Sequence, residues 1–108
     1  MAYKNLYITC NGRQYHAGII AGNITRKYPH IRDTAEYRAL EDRFFDYTQA
    51  CTRKEQRGWM AHYMGEALNM ERRARDLQAR GKEYWNTAGG MLMDAALQFI
   101  VAYDMIAD

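Results

Sequence analysis

The stretch LYITCNGRQYHA, residues 6–17, carries the strongest local signal in the 108-residue chain. At its centre, Asn11-Gly12 favours a type I′ turn, because both central positions of that turn need a positive φ. The turn predicts a β-hairpin over about residues 2–20. A two-residue loop at Asn11-Gly12 sets four cross-strand pairs: Cys10 with Arg13, Ile8 with Tyr15, Leu6 with Ala17 and Lys4 with Ile19.

Both faces of this hairpin are partly apolar. One face carries Leu6, Ile8, Tyr15 and Ala17, and the other carries Tyr3, Tyr7, His16 and Ile20. An isolated two-stranded hairpin is marginal in water, so one face must pack on other elements. The pattern leaves open which face is buried.

Three helices are predicted from apolar residues that recur every three or four positions. Their approximate bounds are 34–51, 53–80 and 87–106. The first begins at a capping-box pattern from Asp33 to Glu36, the second at another from Thr52 to Glu55, and Gly81 is a suitable stop. A single helix from 34 to 80 is the alternative, but Gly58 and the polar run 52–57 favour a break.

The predicted fold is therefore α+β and mainly helical, with an N-terminal β-hairpin packed on a three-helix bundle. A length of 108 residues predicts a single domain over 1–108. Ala supplies 15 residues, Tyr 9 and Met 7, whereas Leu, Ile, Val and Phe together supply 17. We expect a core of small and adaptable side chains.

Charge is segregated along the chain, although the net charge is only +2. Counted by segment, it is +5 over 1–32, −3 over 33–51, +4 over 52–82 and −4 over 83–108. Two arrangements are open: basic and acidic elements that neutralise each other side by side, or a bipolar surface that attracts an acidic partner.

No catalytic constellation is present in the sequence pattern. The three histidines are far apart, and no Cys-x-x-Cys, His-Glu-x-x-His or calcium-loop pattern occurs, so we expect no metal, no cofactor and no enzymatic activity. Cys51 beside Arg53 and Lys54 is the remaining nucleophile candidate, but its place at the end of an apolar stripe favours a packing role. No small-molecule substrate is indicated.

Aromatic residues outside the apolar stripes predict a protein partner, because Trp and Tyr often anchor interfaces. The predicted partner-binding residues are Phe45, Trp59, Tyr84 and Trp85. The predicted function is an adaptor or a stoichiometric inhibitor, of the type that phages and plasmids carry. Self-association is a further option. The alternative for each Trp is that it closes an end of the bundle as part of the core.

Nucleic-acid binding is the alternative function. Basic and aromatic side chains on strands can track phosphates and stack bases, and the second predicted helix is rich in Arg. The candidate residues are Lys4, Tyr7, Arg13, Tyr15, Arg72, Arg73 and Arg75. Glu71 and Asp76 interrupt the basic run, and the acidic C-terminal helix would repel phosphate if it lay nearby.

The composition predicts a cytoplasmic protein with no membrane partner. The N-terminus lacks a signal-peptide pattern, and two cysteines do not make a disulfide scaffold. The longest apolar-rich window, 91–107, is interrupted by Asp94, Gln98 and Asp104.

Overall fold

The computed structural model describes residues 6–49 and 51–107, and within them the chain forms two strands and four α-helices. The strands are β1 (Tyr7–Cys10) and β2 (Arg13–His16), and the helices are α1 (Ala17–Lys27), α2 (Ala35–Thr48), α3 (Arg53–Ala79) and α4 (Trp85–Ala107). Short 3-10 turns lie at Ile31–Asp33 and Lys82–Tyr84. The prediction of a mainly helical α+β fold with a hairpin packed on helices is confirmed. The prediction of a three-helix bundle is confirmed only in part, because α1 precedes the three predicted helices.

The hairpin turn has the geometry that Asn11-Gly12 predicts. Both residues have a positive φ, 56° and 77°, and the pairs Cys10–Arg13 and Ile8–Tyr15 are in register. Ile8 and Cys10 are buried, so the face that they share packs on α3. Lys4, the predicted partner of Ile19, lies outside the described residues.

The first helix is the main correction to the prediction. Residues 17–20, expected to end the second strand, instead begin α1, because His16 caps the helix by accepting a hydrogen bond at Nδ1 from the Ile19 N–H at 3.2 Å. Ala17 and Ala21 are buried where α1 packs on α4. Their spacing of four is typical of a helix. The adjoining strand pattern, together with Gly18 and Gly22, nevertheless favoured the prediction of a strand end over that of a helix.

The predicted break between the second and third helices is confirmed. Thr52 accepts the Glu55 N–H at 3.2 Å while its own N–H donates to Glu55 Oε2 at 3.0 Å, which is a complete capping box. The N-cap of α2 is Thr34, whose hydroxyl accepts a hydrogen bond from the Tyr37 N–H. Asp33 was predicted to be this cap, so the prediction of a capping box from Asp33 to Glu36 is wrong by one residue.

Helix α4 is the element on which α1, α2 and α3 each pack. Its consecutive residues 95–97 and 99–102 are all buried, and they span the whole circumference of the helix. A helix that is apolar all round is typical of a core position. Three of these seven residues are alanine, and their small side chains favour a close approach of the neighbouring helices.

Residues 82–106 are also long and apolar enough to cross a membrane by length and composition alone, with a mean hydropathy of 1.2. The core helix of a soluble protein meets the same criteria, and 44% of the apolar window is buried inside the structure. The interruptions at Asp94, Gln98 and Asp104 therefore do not prevent this helix from meeting the length and composition criteria of a membrane span. The absence of a membrane partner stays a prediction.

Candidate functional site

A chain of ring contacts positions Trp59 on α3. Phe44 of α2 is buried, and its ring centroid lies 4.5 Å from that of Tyr63 on α3. The ring centroid of Trp59 lies 6.2 Å from those of both Tyr63 and His62. The indole thus packs beside two neighbouring rings of its own helix, and Trp59 is still 47% exposed.

An open depression of about 410 Å³ adjoins the Trp59 indole. We call its lining the Trp59 surface, which consists of Glu55, Gly58, Trp59 and His62. A Cβ atom added at Gly58 would meet no other atom within 4 Å, so the absence of a side chain there leaves the depression open. Gly58 is a helix-interior residue, where glycine costs stability relative to alanine.

The four predicted partner-binding residues lie at two ends of the molecule. Phe45 is 57% exposed near the end of α2 that leads into α3, the same end as Trp59. Tyr84 and Trp85 lie beyond the other end of α3, where the Trp85 indole N–H donates to the Gln78 carbonyl at 3.3 Å. Because 19 residues of helix separate Trp59 from Gln78, the two ends are roughly 28 Å apart.

Three of the predicted nucleic-acid residues come together in a cleft of about 320 Å³ between the hairpin and α3. Tyr15, Arg72 and Arg75 line this hairpin cleft, and so do the acidic residues Glu71 and Asp76. Its hairpin wall is fixed to α3 through Asn69, and sequence reasoning did not identify Asn69. Asn69 Oδ1 accepts the Asn11 side-chain amide at 2.7 Å and the Cys10 thiol at 3.5 Å.

Three other predicted nucleic-acid residues, Tyr7, Arg13 and Arg73, lie apart from the hairpin cleft. Arg13 pairs with Cys10 at the exposed tip of the hairpin, and Arg73 is exposed without lining the cleft. Tyr7 projects from the opposite hairpin face, where its ring packs edge-on against that of His16 at 4.9 Å. Lys4 lies outside the described residues.

A second cleft, of about 270 Å³, separates α1 from α3 and α4. This α1 cleft shares Tyr15, Leu68, Glu71 and Arg75 with the hairpin cleft. Sequence reasoning missed it because residues 17–27 were not predicted to be helical. The spacing of four between Ile20, Ile24 and Tyr28 is the signal that could have revealed it.

The metal-ligating side chains of the described residues are dispersed over the structure. Among residues 6–49 and 51–107, no three His, Cys, Asp or Glu side chains lie close enough together to hold a metal ion. Cys51 is partly buried in the connection between α2 and α3. The arrangement offers surfaces for contact: an exposed Trp on α3 and two adjoining clefts.

The structure is thus that of a mostly helical α+β protein with a two-stranded antiparallel hairpin packed on its helices. Comparison with protein-family models, with curated proteins and with solved structures gave no match to this chain.

Proposed function

We propose that the chain is a non-enzymatic binding protein, an adaptor or a stoichiometric inhibitor, that contacts a protein partner through the Trp59 surface. The observation that carries the proposal is the 47% exposed indole of Trp59 beside an open depression. Phe45, exposed at the same end of the molecule, extends this contact area.

The ring contacts of Trp59 favour binding for an energetic reason. A side chain that is already ordered loses little conformational freedom when a partner covers it. Trp is among the residues that dominate the binding energy of interfaces, especially at the centre of a patch next to a pocket. The depression beside Trp59 is open and mostly apolar, so a side chain of the partner can pack on it beside the indole.

The test uses one methyl group placed in the depression. Gly58→Ala should raise the free energy of unfolding by about 0.5–1 kcal/mol, because alanine favours the helix and meets no neighbour. The same methyl should lower retention of the partner about tenfold or more, since it occupies space that the partner fills. The measurement is capture from a nuclease-treated cell extract by the immobilised chain, together with a thermal melt of each variant.

The matched control is Gly22→Ala on α1, which is also exposed and free of neighbouring atoms. It should give the same stabilisation and unchanged retention. Equal retention by the Gly58→Ala and Gly22→Ala variants would contradict the proposal. So would a wild-type chain that retains no protein in a one-to-one ratio.

Nucleic-acid binding is a second candidate, favoured by the convergence of Tyr15, Arg72 and Arg75 on the hairpin cleft. Tyr15 offers an aromatic face for stacking, and the two guanidinium groups can contact phosphates. Glu71 and Asp76 line the same cleft and oppose phosphate, which places this candidate second.

The salt dependence of binding tests the second candidate. The logarithm of the affinity for a single-stranded oligonucleotide should fall with the logarithm of salt concentration, by about 0.7 per phosphate neutralised. Arg72→Gln should make this slope shallower by about that amount, because it removes one phosphate contact. Arg73→Gln, one residue further and outside the cleft, should leave the slope unchanged. Identical slopes for the two variants would exclude the cleft as the binding site.

A further inference from the structure

We infer that the α1 cleft binds a small amphipathic monoanion, an unbranched apolar chain that ends in one carboxylate. The inference is independent of the Trp59 surface. It rests on three features of the cleft: an apolar floor, two cations at the rim and a volume of about 270 Å³.

The floor of the α1 cleft is apolar and comes from separate elements. Phe99, Ala95 and Ala96 of α4 are buried at its base. Around them, half-buried aliphatic side chains face the gap: Ile20, Ile24, Leu68 and Leu92. These side chains leave apolar surface in contact with water, and an apolar ligand chain would remove that surface from solvent.

The rim of the cleft carries a net positive charge. Lys27 lies at the end of α1, with its Nζ 5.4 Å from the ring centroid of Tyr28. Arg75 of α3 contacts Glu71 through Nε at 3.2 Å, and its terminal nitrogens have no acceptor among the described residues. With two basic side chains and one acidic side chain, the rim has a net charge of +1. A monoanion therefore neutralises the rim, whereas a dianion would leave an excess negative charge.

The volume limits the size of the ligand. About 270 Å³ equals the liquid volume of roughly nine water molecules and lies just below the range typical of drug-sized ligands. A medium-chain carboxylate such as octanoate is of this size and has the required distribution of charge.

The experiment titrates octanoate into the full chain and follows methyl resonances by NMR. We expect saturable one-to-one binding with the largest shifts at Ile20, Ile24 and Leu92. Lys27→Glu should weaken the affinity about tenfold or more, because it replaces a favourable charge contact with a repulsive one. Octanol, which has the same chain and no charge, should bind more weakly than octanoate.

Arg26→Glu is the matched control, because it makes the same change in net charge at the neighbouring exposed residue, which does not line the cleft. It should change the affinity by no more than about threefold, a long-range effect that salt screens. Lys27→Gln serves as a second, milder variant of the same position and should lie between wild type and Lys27→Glu. Any of three results would overturn the inference. They are the absence of saturable octanoate binding, equal losses of affinity in Lys27→Glu and Arg26→Glu, and chemical-shift changes centred outside the cleft.

Discussion

Asp104 of α4 is hydrogen-bonded to two residues that lie close together much earlier in the chain, Arg32 and Tyr37, which are 72 and 67 residues away in sequence. Its carboxylate accepts two hydrogen bonds from the Arg32 guanidinium, at 2.8 and 3.0 Å, and one from the Tyr37 hydroxyl at 2.6 Å. Burial, reinforced by the negative charge of Asp104, raises the pKa of Tyr37 well above its ordinary value. The hydrogen bond to Asp104 is also the main reason that the pKa of Arg32 is raised.

The raised pKa of Tyr37 predicts a loss of stability at high pH. Above about pH 10, the ordinary pKa of tyrosine, the unfolded chain releases the proton of Tyr37 while the folded chain retains it. The free energy of unfolding should therefore fall as the pH rises past that point, and Tyr37→Phe should remove this part of the decrease. Near neutral pH the same variant should cost about 1.5–3 kcal/mol, the value of a hydrogen bond to a charged group.

Urea denaturation at a series of pH values measures both effects. Tyr7→Phe is the control, since Tyr7 is 51% exposed on the outer face of the hairpin. Its profile should follow that of the wild type. If the Tyr37→Phe profile also paralleled the wild type at high pH, the contact with Asp104 would not set the alkaline limit of stability.

Two glycines near the α3–α4 connection should respond to alanine with opposite signs. Gly81 has φ 145° and ψ 168°, a region that is essentially restricted to glycine, so Gly81→Ala should cost about 1–3 kcal/mol. Gly90 lies inside α4 with no atom within 4 Å of an added Cβ, so Gly90→Ala should stabilise by about 0.5–1 kcal/mol. Thermal melts of the two variants are the measurement, and a neutral Gly81→Ala would argue against this backbone conformation.

Capping and turn residues made some elements predictable. Asn11-Gly12, Thr52 with Glu55, and Gly81 each act through their own backbone neighbourhood, and the structure has the turn, the helix start and the helix stop that they predict. Helix α1 was not predictable in the same way. A local helical spacing of four is present at Ala17 and Ala21, but the preceding strand pattern favoured a longer hairpin instead. What the local sequence does not show is that these residues become buried where α1 packs on α4, some 80 residues away.

The candidate surfaces were only partly predictable because they combine residues from distant elements. The exposure of Trp59 and Trp85 followed from their positions outside the apolar stripes. The separation of these two residues follows from the length of α3, whereas the meeting of Tyr15 with Arg75 depends on how the hairpin packs on α3. The arrangement of the charged segments also depends on tertiary packing. Arg32, from the basic first segment, forms an ion pair with Asp104, from the acidic last segment.

The central position of α4 has a consequence for how the protein is made. Helices α1, α2 and α3 precede α4 in the chain, yet α4 is the element that covers their apolar faces. During translation those faces leave the ribosome before their common partner exists, and the 23 residues of α4 take roughly one to five seconds to synthesise. In that interval the nascent chain exposes its Met- and Ala-rich helix faces to chaperones and to other nascent chains, and its native packing forms only after synthesis of α4.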